Sequence, residues 1–341
     1  MPSTDITWSE LHGDHFRGAR VLVTGGAGFI GSHLCAALVE LGAQVIALDD
    51  HCAGNRRNFE DFQEQGPGSL KFVEGSILDA QSLENCTDGC RTIFHQAALG
   101  SVPRSIEQPS LYANVNITGT LNVLEAARKT AVERIVYAAS SSAYGDTPTL
   151  PKIETMPPSP LSPYAATKLA GEGLMSAYSA SYGLDAVSLR YFNIFGPRQS
   201  AQSAYAAVIA AFARALSNDQ ELSIHGDGEQ SRDFTFVANA VHANLLAARR
   251  PEALAGSVIN VACGHRITVN ELARLMIEHT GGSGSVCHVP ARAGDVLHSL
   301  ADLSRARTML GYEPVVDFEA GLATTLEHFG CGRNEGVGGR A

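Results

Sequence analysis

Residues Arg20-Val21-Leu22-Val23-Thr24 form a short apolar run that passes directly into Gly25-Gly26-Ala27-Gly28-Phe29-Ile30-Gly31. Such a run bounded by glycines predicts a buried strand, and Ser32 to Leu41 has the apolar spacing of a helix that Gly42 stops. Gly26, Gly28 and Gly31 fit G-x-G-x-x-G, and counting from Gly25 gives G-x-x-G-x-x-G. In a strand–loop–helix setting both spacings do the same work. The first glycines make a tight turn and let backbone approach a pyrophosphate, which sits against the positive end of the helix. Val45 to Leu48 reads as the next buried strand and ends in Asp49-Asp50. An acid at that tip accepts hydrogen bonds from the adenosine ribose hydroxyls and repels a 2′-phosphate, so the pattern predicts NAD rather than NADP. Asp49 is the expected ribose ligand and Asp50 its neighbour.

Further apolar runs at 70–73, 92–94, 135–138, 186–189 and 258–261 alternate with helical segments. That alternation predicts an α/β fold, a Rossmann-type doubly wound parallel sheet with a smaller mixed α/β substrate-binding lobe. The expected organisation is an N-terminal polar arm over 1–17 and an NAD-binding domain over 18–192. A substrate lobe follows over 193–328, with a segment near 233–262 returning to the sheet. Residues 148–163 read as loop, and the glycine-rich end from 329 to 341 as disordered.

A formal charge of −10 argues against a nucleic-acid partner. No apolar segment suits a signal peptide, and the run from Ala204 to Leu216 is too short to span a bilayer. The seven cysteines are scattered, and Cys86 and Cys90 lack the partners of a zinc site. Reduced thiols, no metal and a cytoplasmic location are therefore expected.

Tyr164 and Lys168 stand four residues apart in a segment that begins Ser162-Pro163, a favourable helix start. At that spacing both side chains share a face, and a cation beside a phenol favours the phenolate that general-base chemistry requires. A serine cluster, Ser140-Ser141-Ser142, ends the strand between the glycine loop and this pair.

With these motifs in order, the chain resembles the extended short-chain dehydrogenase/reductases, in particular the NAD-dependent nucleotide-sugar 4-epimerases. The resemblance spans about residues 20–325 and includes His95-Gln96-Ala97-Ala98, Asn114 to Thr120, Leu189-Arg190-Tyr191-Phe192-Asn193, Ser231-Arg232-Asp233-Phe234 and Arg292-Ala293-Gly294-Asp295. It implies that Tyr164 takes the sugar hydroxyl proton, Lys168 tunes it and binds the nicotinamide ribose, and Ser140 bonds the same hydroxyl. The cofactor would be held by Gly25, Gly28, Phe29, Ile30, Gly31, Asp49, Ile77, Gln96, Ala97, Ala98, Asn116 and Tyr191 together with the catalytic pair. The UDP-sugar would meet Ser101, Ser141, Ser142, Asn193, Arg232, Arg292, Asp295 and Ser299, the two arginines clamping its pyrophosphate. The helices around Leu111–Arg128 and Tyr164–Ser181 are the usual dimer surface in the family, so the resemblance also implies a homodimer. His95 and His298 lie near the proposed site and are expected to be packing residues. One departure is Ser76, which stands where the family carries an acid that reaches the adenine.

Ser141 and Ser142 occupy the positions at which dehydratases place Asp-Glu, and decarboxylases carry Glu at the position of Ser142. Redox without elimination is left, which is 4-epimerisation. Ser299 falls where a tyrosine restricts the family's pocket to plain hexoses; a small residue leaves room for an acetamido group. The resemblance therefore points to interconversion of UDP-N-acetylglucosamine and UDP-N-acetylgalactosamine. UDP-glucose or UDP-glucuronate epimerisation is the first rival. A non-catalytic NAD-sensing protein is the second, disfavoured because such proteins lose the Tyr/Lys pair.

Overall fold

The computed structural model describes residues 6–59, 66–201, 207–282, 284–291 and 296–331. Six strands lie within the first 191 residues: β1 (Arg20–Thr24), β2 (Gln44–Asp49), β3 (Ser69–Glu74), β4 (Thr92–His95), β5 (Arg134–Ser140) and β6 (Asp185–Tyr191). A later strand, Ser257–Val261, joins them beside β6. All seven run parallel, in the order Ser257–Val261, β6, β5, β4, β1, β2, β3.

Alternate residues of these strands feed two cores. Leu22, Ile46, Ile93 and Ile135 face one helical layer, whereas Val21, Val23, Val45, Phe94 and Val136 face the other. A parallel sheet covered on both faces needs such continuous apolar strands. The order reverses between β1 and β4, and a crevice opens beyond their carboxyl ends, where ligands bind in sheets of this class.

Beyond β6 the chain forms short pairings, Ile194–Phe195 with Thr235–Phe236, Ser231–Arg232 with Ile267–Thr268, and Leu222–His225 with Val286–Val289. The intervening helix Val237–Arg249 is buried over most of its length and packs under the sheet. Arg134, from the start of β5, donates to the carbonyls of Ala247 (2.8 Å), Arg250 (2.6 Å) and Glu252 (2.9 Å) at its end. A cation at a helix C-terminus satisfies orphan carbonyls and opposes the dipole there. No helix among the described residues is long and apolar enough to cross a membrane.

Two terminal segments depart from the sequence reading. The polar arm carries a helix, α1 (Trp8–His12), and docks Trp8, His12 and Phe16 as buried residues. Trp8 N donates to Glu40 Oε1 (2.8 Å), and Arg249 Nη1 donates to the Leu11 carbonyl (3.2 Å). At the other end Cys331 is buried and its thiol donates to the Ala213 carbonyl (3.0 Å), so the described part of 329–341 is packed. Residues 332–341 lie outside the described residues.

His12 Nε2 meets His242 Nδ1 at 3.1 Å in a buried contact. Such a pair needs a neutral acceptor. Burial, with the charges of His242 and Arg249, pushes His12 down to about 3; burial and Arg249 push His242 down to about 4. Burial likewise lowers His33 to about 4 and His95 to about 3. The unfolded chain therefore binds more protons than the fold between the ordinary histidine range and these values, and unfolding free energy falls as pH falls through that window. Chemical denaturation from pH 7 to 4 should show a declining midpoint. Trp8, the single tryptophan, should shift its emission to the red as the arm releases; a midpoint constant over that range would refute the assignment.

Candidate active site

The glycine loop is held by contacts that only glycine permits. Gly25 has φ +68°, and a Cβ there would lie 2.7 Å from Ala97 N at the end of β4. A Cβ on Gly31 would lie 2.1 Å from the Gly25 carbonyl oxygen, so the first turn of α2 (Phe29–Glu40) rests directly on the loop. Gly28 is the N-cap of α2 and supplies no side-chain cap, which leaves the helix end open for an anion.

Asp49, at the tip of β2, accepts from Ala27 N (3.0 Å) through Oδ2 and from His51 N (2.8 Å) through Oδ1. Each oxygen keeps a further lone pair for a ribose hydroxyl. Burial pushes this carboxyl up against the pull of those N–H bonds. The segment 51–58 folds over the same end: Asn58 Nδ2 donates to the Ala27 carbonyl (2.8 Å), and a Cβ on Gly54 would lie 2.8 Å from Asp49 Oδ1. Sequence reasoning missed both; a Gly-Asn pair just after the acidic tip was the available signal. Cradle, open helix end and acid together fit a dinucleotide.

The chemistry site lies at the far end of the same cleft, which encloses about 1820 Å³. Drug-sized ligands occupy roughly 300–1,000 Å³, so there is room for a dinucleotide and a nucleotide sugar together. Ser162 caps the helix Pro163–Tyr182 by accepting from Ala165 N (3.2 Å), and Tyr164 N donates to Ser105 Oγ (3.1 Å). Lys168 Nζ donates to the Ala138 carbonyl (2.8 Å) and lies 5.0 Å from the Tyr137 ring centroid. Ser140 Oγ, at the end of β5, accepts from Ser142 N (3.2 Å) and Ser142 Oγ (2.9 Å), and it acts on the Tyr164 phenol by opposing the rise that burial causes.

Burial raises the Tyr164 phenol above its ordinary value, while the Ser140 contact draws it back. Burial lowers the Lys168 ammonium to about 7 against the opposing charge of Glu172. In the protein alone, desolvation therefore outweighs the mutual help expected from the Tyr-x-x-x-Lys spacing and disfavours the charged form of each group.

A scan against family models matches residues 21–262 to the NAD dependent epimerase/dehydratase family. The chain belongs to that family. Its cofactor is NAD. UDP-glucose 4-epimerase of Mycolicibacterium smegmatis is 38% identical over 312 residues, covering 91% of this chain and 98% of that protein. Among solved structures, UDP-N-acetylglucosamine 4-epimerase from Methanobrevibacter ruminantium, in complex with UDP-N-acetylmuramic acid, superposes with a TM-score of 0.87 at 38% identity, covering 92% and 98% of the two chains. The Thermus thermophilus UDP-glucose 4-epimerase complex with NAD gives 0.82 at 36% identity, covering 91% and 98%.

Within this family member the residues singled out from the sequence converge on one cleft. Gly25, Gly28, Phe29, Ile30, Gly31, Asp49, Ile77, Gln96, Ala97, Ala98 and Tyr191 line it, together with Ser101, Ser141, Ser142, Asn193, Arg232 and Ser299. Asn116 is buried and spends its amide on Leu99 N (2.9 Å), the Leu99 carbonyl (3.1 Å) and Thr167 Oγ1 (2.9 Å), so it braces backbone instead of reaching a ligand. Ser101 caps the helix Val102–Glu107. Tyr191 OH accepts from Asn244 Nδ2 (2.7 Å) and Gln96 Nε2 (3.2 Å), which fixes Gln96 against the cofactor end. Ser76 Oγ accepts from Leu78 N (3.3 Å). His95 is fully buried between Thr24 and Thr120, and His298 Nδ1 pairs with Ser231 Oγ (2.9 Å). Arg292 and Asp295 lie outside the described residues.

Asn193 has φ +38°, and its Nδ2 donates to Ser299 Oγ and the Asp233 carbonyl, both at 3.0 Å. Ser299 is thus a buried hydroxyl that orients Asn193 as well as a small wall. Asp233, unassigned from sequence, accepts from Cys263 N, Gly264 N and Ala301 N, each at 3.1 Å, and burial pushes it up to about 7. It fastens the segments at 263–264 and 301 to its own, beside Arg232. Its position next to that arginine was the only sequence signal.

Gly31→Ala places a methyl against the Gly25 carbonyl, a backbone contact that cannot yield. Cofactor affinity measured by titration should fall by at least roughly tenfold. Wild-type affinity in a folded variant would contradict the close approach.

Proposed function

We propose that this chain is a UDP-N-acetylglucosamine/UDP-N-acetylgalactosamine 4-epimerase. The broader reading, an NAD-dependent nucleotide-sugar 4-epimerase, draws support from the family match and from relatives whose names include several 4-epimerases. The substrate reading is carried by Ser299, a small buried residue tied to Asn193 where an aromatic gate would stand. UDP-glucose is the second reading, favoured by the names of the Mycolicibacterium and Methanocaldococcus relatives.

Tyr164 takes the proton of the sugar 4-hydroxyl, and Ser140 bonds that same hydroxyl. NAD+, when bound, supplies the hydride acceptor and a positive charge. Lys168 stands one turn from Tyr164 and stabilises the phenolate electrostatically. Ser141 and Ser142 offer no acid to drive loss of water, so the 4-keto sugar is retained. Asn193 and Arg232, with Arg292 and Asp295, hold the nucleotide while the sugar turns and presents its other face for hydride return. Tyr164 then gives its proton back. Exposed Leu121 and Tyr182, on the helices Gly119–Lys129 and Pro163–Tyr182, suit a homodimer interface. A cytoplasmic enzyme supplying N-acetylated sugars for polysaccharide biosynthesis fits this substrate class.

Purified protein given UDP-GlcNAc, UDP-glucose and UDP-glucuronate separately, without added NAD, should convert UDP-GlcNAc to UDP-GalNAc. Ser299→Tyr should sharply reduce that conversion and spare UDP-glucose. Tyr164→Phe should lose on the order of 10²–10⁴ in turnover with sugar-nucleotide binding little changed. Conversion of only the plain or acidic sugar by the wild type would overturn the substrate assignment.

A further inference from the structure

The helix Pro163–Tyr182 carries a third ionisable residue in line with Tyr164 and Lys168. Glu172 follows Lys168 by four residues, so the three side chains share one stripe. Glu172 is buried, and Arg190 of β6 grips it with two bonds, Nε to Oε1 at 2.8 Å and Nη2 to Oε2 at 2.7 Å. The guanidinium also lies 4.5 Å from the Tyr144 ring centroid. Tyr144 closes the turn begun by Ser140, and in the sheet Arg190 pairs with Ala139 while Ser140 pairs with Tyr191. One ion pair therefore joins the helix bearing Tyr164 and Lys168 to β6, the strand paired with the end of β5 that bears Ser140.

Stability alone gives a weak reason for charges here. Desolvating an ion pair offsets most of its attraction, and apolar residues of similar volume usually serve a core as well. Arg190 Nη1 is moreover buried without a hydrogen-bond acceptor. What apolar residues could not supply is a fixed negative charge one turn beyond Lys168. The groups facing Lys168 are otherwise Tyr164 on its own helix, Tyr137 on β5 and His95 on β4, none of them anionic at neutral pH. Those facing Glu172 are Arg190, Lys168 and Tyr137, with Tyr144 beyond the arginine. The fold thus offers the buried ammonium one opposing carboxylate among these neighbours, and Arg190 fixes its orientation.

We propose that Glu172, clamped by Arg190, is a positioning residue that presents a fixed carboxylate one helical turn from Lys168 and holds the Tyr164–Lys168 helix in register with Ser140. This rests on the reading of Tyr164 as the base. Removing Glu172 alone would strand a buried arginine, so the informative variant is Glu172→Gln with Arg190→Gln, which removes both charges together. Two readouts are taken on the wild type and the double variant. One is the phenolate absorbance of Tyr164, measured as the difference between each protein and its own Tyr164→Phe counterpart. The other is the pH dependence of kcat.

With Lys168 less charged, the Tyr164 titration and the acid limb of the kcat profile should both move up by roughly one pH unit, with KM little changed. Glu172→Asp, which keeps the charge, should lower thermal stability yet retain most of the wild-type titration, and it serves even if the double variant misfolds. A folded double variant whose titration and profile superpose on the wild type would overturn the proposal, as would a Glu172→Asp titration displaced by the full unit. Near-normal turnover in Tyr164→Phe would instead overturn the assignment of the base, and the two failures are separable.

Discussion

Burial of Lys168 beside the half-buried Tyr164, at the carboxyl edge of the sheet, is the constraint to which most of the cleft answers. Desolvation pushes the phenol up and the ammonium down. Every neighbour that opposes this is therefore placed with care: Ser140 at the end of β5, the Ala138 carbonyl, the Tyr137 ring and the carboxylate of Glu172. A surface Tyr–Lys pair would need none of these supports, but it would also lie in water, where a nearby charge is worth little.

The second constraint is close packing around the glycine loop. Gly25 lies against Ala97, and Gly31 lies on the Gly25 carbonyl. These contacts bring the ends of β1 and β4 and the start of α2 to one point, where the strand order reverses. Asp49 then ties the loop to β2 through Ala27 N, so the adenosine end is braced by a residue also suited to bind ribose. At the opposite end Asp233 plays the corresponding part, tying the backbone at 263–264 and at 301 to its own segment beside Arg232 and Ser299. The two ends of the cleft are each fastened by one buried carboxylate.

The features legible in the sequence were those for which local chemistry dictates residue type. Glycines at fixed spacing, an acid at a strand tip, and a tyrosine and lysine four apart can be read without knowing what surrounds them. The seven parallel strands were legible for the same reason, since sheets covered on both faces demand apolar runs. Features made by distant partners were not. Nothing in Trp8-Ser9-Glu10-Leu11-His12 indicates that His242 and Glu40 wait for it. Ser299 was read by its size, whereas its bond to Asn193 depends on residues more than a hundred positions apart meeting. Glu172 and Arg190 looked like ordinary charges, one on a helix and one in a strand, until the fold buried them together.

An epimerase built this way returns the hydride it removes, to the same carbon, before the sugar leaves. The most direct test is turnover of UDP-N-acetylglucosamine carrying deuterium at C4, in ordinary water and with unlabelled NAD added in excess. Internal return predicts that the C4-epimerised product retains deuterium at C4 in full, with none in water and none in the added cofactor. Loss of label to solvent, or its transfer into the added NAD pool, would contradict a closed redox cycle and with it the assignment of this cleft to epimerisation.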